Sequence, residues 1–136
     1  MNPLLPEREP EWIEGDTVAL IHDRQLAEHG GSRGIRDRGL LDSALNRARQ
    51  LWAFGNPAPD LCAMAAAYAC GLAKNHAFID GNKRTAAVDC GLFLELNGLR
   101  LMVAEMDKYP HYLGLASDHH TEASFAQWLR ENTAAV

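Results

Sequence analysis

The segment LCAMAAAYACGLAK, residues 61–74, carries one charge, at its last position, and no polar stripe at helical spacing. A helix that is apolar on every side is stable only where other elements cover all of it. The pattern predicts a helix from Leu61 to Lys74 at the centre of a bundle, with Asp60 placed to cap its N-terminus. Its uncharged part, 61–73, falls short of the ~20 residues needed to cross a bilayer.

The neighbouring patterns supply the cover. Residues 1–14 carry three prolines and several charges and read as an irregular lead-in packed on the surface. Asp16 is placed to cap a helix through TVALIHDRQLAEH, which Gly30–Gly31 ends. SRGIRDRG, residues 32–39, is too rich in glycine and charge for an element interior and reads as a loop or short extended flap. Leu41, Ala44, Leu45, Ala48, Leu51 and Trp52 share one face of a helix from about Leu40 to Trp52, and AFGNPAPD breaks it. Ala86, Ala87, Cys90, Phe93 and Leu94 mark a helix from Lys83 to Leu96, stopped by Asn97–Gly98. LRLMV, 99–103, suits a short extended piece. Asp107 is placed to cap a helix through KYPHYLGLAS, with Pro110 tolerated only near its start. Thr121 is placed to cap a last helix whose apolar edge is Phe125, Trp128 and Leu129. The reading is an all-α, single-domain bundle of about six helices with a short flap, spanning residues 1–136.

Composition narrows the function classes. A chain of 136 residues buries roughly 65–70% of its unfolded surface and needs no disulfide or metal to fold. The net charge of −5 argues against sequence-independent nucleic-acid binding. Cys62, Cys70 and Cys90 sit within apolar runs, the usage of buried thiols in a reducing compartment. The N-terminus lacks a cationic start followed by an apolar core, so no signal peptide is read, and the cytoplasm is the expected location.

The chemistry is concentrated in KNHAFIDGNKRTA, residues 74–86. The reading puts His76 at the end of the central helix and Lys83–Arg84 in the first turn of the next. Cations are disfavoured at a helix N-terminus, whose free N–H groups and dipole already attract anions. Two of them there imply an anion supplied from outside. Phosphate fits best, because Arg84 can chelate it bidentately and Lys83 act as a point charge. Asp80 would repel that anion unless a cation lay between them, the arrangement expected for Mg²⁺ on a nucleotide. Histidine is suited to general-base work near neutrality, which gives His76 a role. Phe78 alternates with these polar groups and would anchor the loop in the core. Each feature has a plainer reading by itself: a histidine capping carbonyls, an Asp-Gly turn, a solvated helix start. Their convergence within nine residues favours a site.

HAFIDGNKR resembles the active-site motif of the Fic/Doc superfamily, His-x-Phe-x-(Asp/Glu)-Gly-Asn-x-Arg-x-x-Arg. IHDRQLAEHGGSRGIRDRGLLDSAL, FLELNG and FAQWLREN resemble the death-on-curing (Doc) toxins, so the likeness covers most of residues 16–132. By position it implies His76 as the base for a target hydroxyl and Asp80 as the Mg²⁺ ligand. Gly81, Asn82, Lys83 and Arg84 would hold the phosphates of ATP, and Phe78 would be the buried anchor. Arg33, Gly34, Ile35 and Arg36 would form the flap that aligns a substrate segment through strand-like contacts.

Two departures distinguish reactions within the superfamily. Fic proteins commonly have glycine between the Asn and the Arg, where this chain has Lys83, and their final Arg falls here on Ala87. Fic enzymes typically transfer AMP to a protein hydroxyl. The Doc type, similar to this chain at both positions, binds ATP in the reverse sense and transfers the γ-phosphate. The resemblance thus implies an ATP- and Mg²⁺-dependent kinase-type toxin acting on a Ser or Thr of a host protein, with elongation factor Tu as first candidate. Ala77 replaces the proline usual in Fic proteins, and Gly81 the alanine of the Doc prototype. The family's self-inhibitory Ser/Thr-x-x-x-Glu-Gly/Asn pattern is not matched, since QWLREN has Gln127 in its first place. Control would then fall to a separate cognate antitoxin. The alternatives are protein adenylyl transfer and a non-enzymatic partner-binding module.

Other features read plainly. Arg33, Arg36, Arg38, Arg47 and Arg49 suit a solvated face with Asp37 and Asp42 as partners, or else a surface for an acidic partner. His119, His120 and Glu122 read as an exposed loop rather than metal ligands, His22 as a partly buried structural histidine, and Trp52 and Trp128 as core.

Overall fold

The computed structural model describes residues 2–117 and 119–136. The element order is α1 (Gly15–His29), α2 (Arg38–Phe54), α3 (Leu61–Asn75), α4 (Asn82–Leu96), β1 (Leu99–Leu101), α5 (Glu105–Ala116), α6 (Glu122–Asn132) and β2 (Thr133–Ala135). This is an all-α bundle with a two-stranded antiparallel ribbon, β1 against β2, in the register Leu99–Ala135, Arg100–Ala134, Leu101–Thr133.

The apolar segment occupies the centre, as its lack of a polar face requires. All but three residues of α3 are buried, and it packs directly on α2, α4, α5 and α6. Asp60 caps it by accepting from Ala63 N–H at 2.7 Å. The same carboxylate receives Arg130 of α6 at 2.6 and 3.2 Å, tying two helices together at one point. Thr121 forms a capping box with Ser124 at the start of α6. The three cysteines are free and buried. The lead-in is pinned: Asn97 exchanges hydrogen bonds with the Glu11 backbone, and Trp12 stacks on Phe93.

Several boundaries differ from the sequence reading. α1 begins at Gly15 with Glu14 at the cap position, so Asp16 lies inside the first turn, where its charge suits the dipole. α2 begins at Arg38 because Asp37 accepts from Leu40 N–H. α5 begins at Glu105 with Ala104 as cap residue, which moves Pro110 into the second turn. The extended piece closes after Leu101. Its partner, β2, lies at the opposite end of the second half of the chain and was not anticipated. Among the described residues, no helix is long and apolar enough to cross a membrane.

Candidate active site

The α3–α4 connection, residues 76–81, is held from three sides. His76 ends α3 in the left-handed region, φ 51° and ψ 47°, which side-chain-bearing residues seldom enter. Arg36 stabilises it there: Nε donates to the His76 carbonyl at 2.7 Å and Nη2 to the Asn75 carbonyl at 3.2 Å. The flap backbone adds Arg36 N–H and Asp37 N–H to the Ala77 carbonyl and Ile79 N–H to the Gly34 carbonyl. Ile35 and Phe78 thereby form an antiparallel bridge. The Arg36 guanidinium, read from sequence as part of the substrate flap, is instead committed to the end of α3. Ile35 retains an outward edge, because in this pairing its own N–H and C=O point away from Phe78. Arg33 is exposed on the same strip.

The second hold comes from within the motif. Asn82, buried, accepts from Phe78 N–H and donates to the Phe78 carbonyl, both at 3.0 Å. Its side chain closes the loop rather than facing a phosphate, so what it offers an anion is its backbone N–H. Phe78 is 1% exposed. The third hold is His22 of α1, whose ring stacks on Phe78 at 3.8 Å and whose Nε2 lies 2.7 Å from the Asp80 carbonyl. A carbonyl only accepts, so Nε2 carries the proton.

This loop delivers α4 with an open N-terminus. Gly81, φ 79°, occupies the cap position without a side-chain cap, a conformation glycine adopts at no steric cost. The first-turn N–H groups of Asn82, Lys83 and Arg84 have no partners within the helix. The Asp80 carboxylate faces the start of the flap, with Oδ2 3.4 Å from Ser32 N–H, while Oδ1 accepts from Gly81 N–H at 2.9 Å. Gly31 makes room for it: a Cβ there would lie 2.7 Å from Asp80 Oδ2. His76, Ile79, Asp80, Gly81, Asn82, Lys83 and Arg84 line one cavity of about 250 Å³. That is below the ~300–1,000 Å³ that encloses a drug-sized ligand, and suits a phosphate chain better than a whole nucleotide. Arg84 also lines a larger groove of about 500 Å³ between α1, α4 and α5, bordered by Ala87 and Val88.

The donor set fits Mg²⁺ arriving with a nucleotide. Asp80 is the cavity's one carboxylate, and Mg²⁺ commonly takes one or two carboxylates together with substrate phosphates. Elsewhere His119, His120 and Glu122 turn to different partners: His119 to Ser117, His120 to His111 and Glu122 to Arg47. Arg38, Arg47 and Arg49 pair with Asp42, Glu122 and Glu14, so these three arginines are balanced within the chain itself. The Asn82 clamp, the Arg36 grip and the His22 hydrogen bond were not read from the sequence. Only His22 left a trace, as the polar member of α1's buried stripe Val18, His22, Leu26.

Comparison with known proteins identifies the family. The Fic/DOC family model matches residues 12–94, which run from the end of the lead-in through the flap and most of α4. Toxin Doc of Mycolicibacterium smegmatis is 48% identical over 73 residues, 53% of this chain and 55% of that protein. The match therefore spans about half the length of that relative. Protein kinase doc of Escherichia phage P1 is 32% identical over 89 residues, 65% of this chain and 70% of that protein. A motif loop clamped at the mouth of an uncapped helix, within a bundle that matches over more than half its length, makes the chain a member of the Fic/DOC family.

Proposed function

We propose that the chain is a Doc-type toxin that transfers the γ-phosphate of ATP, with Mg²⁺, to a Ser or Thr hydroxyl of a host protein. The observation that carries this is the meeting of His76, Asp80, Lys83 and Arg84 around one cavity at the uncapped start of α4. His76 takes the proton from the target hydroxyl, whose oxygen bonds to the γ-phosphorus as the bond to the β-phosphate oxygen breaks, releasing ADP. Lys83, Arg84 and the first-turn N–H groups bind and orient the phosphates and face the charge that develops. Mg²⁺, when held at Asp80, would supply further neutralisation of phosphate charge. The outward edge of Ile35 is the strip along which a substrate segment would align.

Kinase chemistry is favoured over AMP transfer by Lys83, which adds bulk and charge beside Arg84, and by Ala87, which leaves no second guanidinium one turn on. The phage relative, named a protein kinase, supports the same reading. Elongation factor Tu is the first substrate to try, and a cognate antitoxin is the proposed source of control. ATP labelled at the α- or the γ-phosphate, incubated with the protein, Mg²⁺ and host lysate, tests the reaction. Only the γ label should reach protein, and His76→Ala should abolish it. Transfer of the α label would make the chain an adenylyltransferase, and growth inhibition surviving His76→Ala would make it a binding module.

A further inference from the structure

We propose that His22 of α1 is a positioning residue for the Asp80–Gly81 peptide, holding the Asp80 carboxylate and the start of α4 in one arrangement. The proposal rests on the nucleotide reading for its consequence, and on geometry for its substance. Val18, His22 and Leu26 are the buried residues of α1, and leucine or phenylalanine in the middle place would complete an apolar stripe. A polar ring only 2% exposed is stable there only if its hydrogen bond is made. Its Nε2–H meets the Asp80 carbonyl at 2.7 Å. That carbonyl lies outside the helical ladder, since the first bond of α4 runs from Thr85 N–H to Gly81.

The peptide so held is the pivot of the cavity. On one side its Cα carries the proposed metal-binding carboxylate. On the other, Gly81 sets the direction in which α4 begins. Glycine tolerates both signs of φ; inside the loop Gly81 N–H donates to Asp80 Oδ1 at 2.9 Å, and the carbonyl of the same peptide still needs something from outside the loop to fix it. His22 does so from an element 58 residues away in sequence. Its ring closes against Phe78 at an interplanar angle of 11°, and its Cδ2 and Nε2 lie 3.6 Å from where a Cβ on Gly81 would stand.

Two substitutions separate the hydrogen bond from the packing. His22→Phe keeps a flat ring against Phe78 and removes the donor, whereas His22→Gln places an amide N–H near the position of Nε2. In ¹⁵N-labelled protein, His22→Phe should shift the backbone amide resonances of residues 79–83 while leaving those of α2 and α6 in place. It should also weaken binding of Mg²⁺·ATP about tenfold, the scale of one lost hydrogen bond, and His22→Gln should restore most of both. Where His22→Phe fails to fold, His22→Gln and His22→Asn give the same comparison, because the shorter amide falls short of the carbonyl. Unchanged loop resonances without the donor, or no restoration by glutamine, would overturn the proposal. Arg84→Ala runs in parallel. If it leaves Mg²⁺·ATP binding intact, the nucleotide reading fails, and the loop resonances still decide for or against His22.

Discussion

Asn82 shows how one side chain of a proposed binding motif can be spent on the loop's own backbone. Its amide satisfies both polar groups of the Phe78 peptide backbone within a buried loop. Asn82→Ala would strand a donor and an acceptor, each costing ~1–3 kcal/mol when buried without a partner. We expect that variant to lose on the order of 2–4 kcal/mol in urea unfolding, and to lose phosphate binding because the loop relaxes. Asn82→Asp keeps the acceptor and loses the donor, so its stability should fall between the two. A variant that lost phosphate binding at full stability would return the amide to the ligand. The sequence alone leaves this division open, because an amide beside a cationic helix start suits either partner. Only the position of Phe78, four residues back and turned inward, decides it.

At the scale of elements, Gly71 sets the distance between α2 and α3. A Cβ at this position would lie 3.0 Å from both Cα and Cβ of Ala44 and 3.3 Å from its carbonyl oxygen. Backbone cannot yield as a side-chain tip does, so Gly71→Ala must push the two helices apart. The expected cost is ~1–3 kcal/mol, as for overpacking in other cores, despite alanine's better helix propensity. A melting temperature at or above that of the parent would show that the crossing is looser than this. The helices themselves were legible because burial repeats with the helical period, most plainly in α2, whereas α3 was legible because it has no polar face at all. Their starts were less legible, because several residues compete for each cap. Asp16 and Asp107 have the better capping side chains, but the chain turns helical two and three positions earlier. β1 was read as an extended piece, but its pairing with β2 could not be seen, since three residues at 133–135 show no period and the partner is fixed by where α6 ends. The Arg36 and His22 contacts are legible only in space, since each reaches the loop from 39 or more residues away.

For the whole molecule, a buried carboxyl and a partly buried histidine shape the dependence of stability on pH in opposite directions. Asp89 of α4 is fully buried, and among the described residues neither of its carboxyl oxygens has a hydrogen-bond partner. Burial pushes its pKa up to about 8. The folded protein therefore keeps this carboxyl protonated while the unfolded chain releases the proton near 3.8. Between those values the unfolded state binds fewer protons, so stability falls as pH rises, by up to ~1.4 kcal/mol per unit. His111 acts in the other direction. It hydrogen-bonds His120 at 2.8 Å and stacks on Trp128. Burial and the neighbouring His120 lower its pKa, against a smaller opposing effect of Asp107. The unfolded chain then binds the proton more readily, and stability is lost as pH falls below the ordinary histidine value of 6.5. Asp89→Asn should raise the melting temperature at pH 7.5 and remove the decline between pH 5 and 8, leaving the acid-side loss in view. His111→Phe should remove that acid-side loss and leave the decline toward pH 8. Melting curves of the parent and both variants, taken at half-unit steps from pH 5 to 8, separate the two. If Asp89→Asn lowers stability at pH 7.5, the buried carboxyl is ionised and paired in the folded protein rather than protonated.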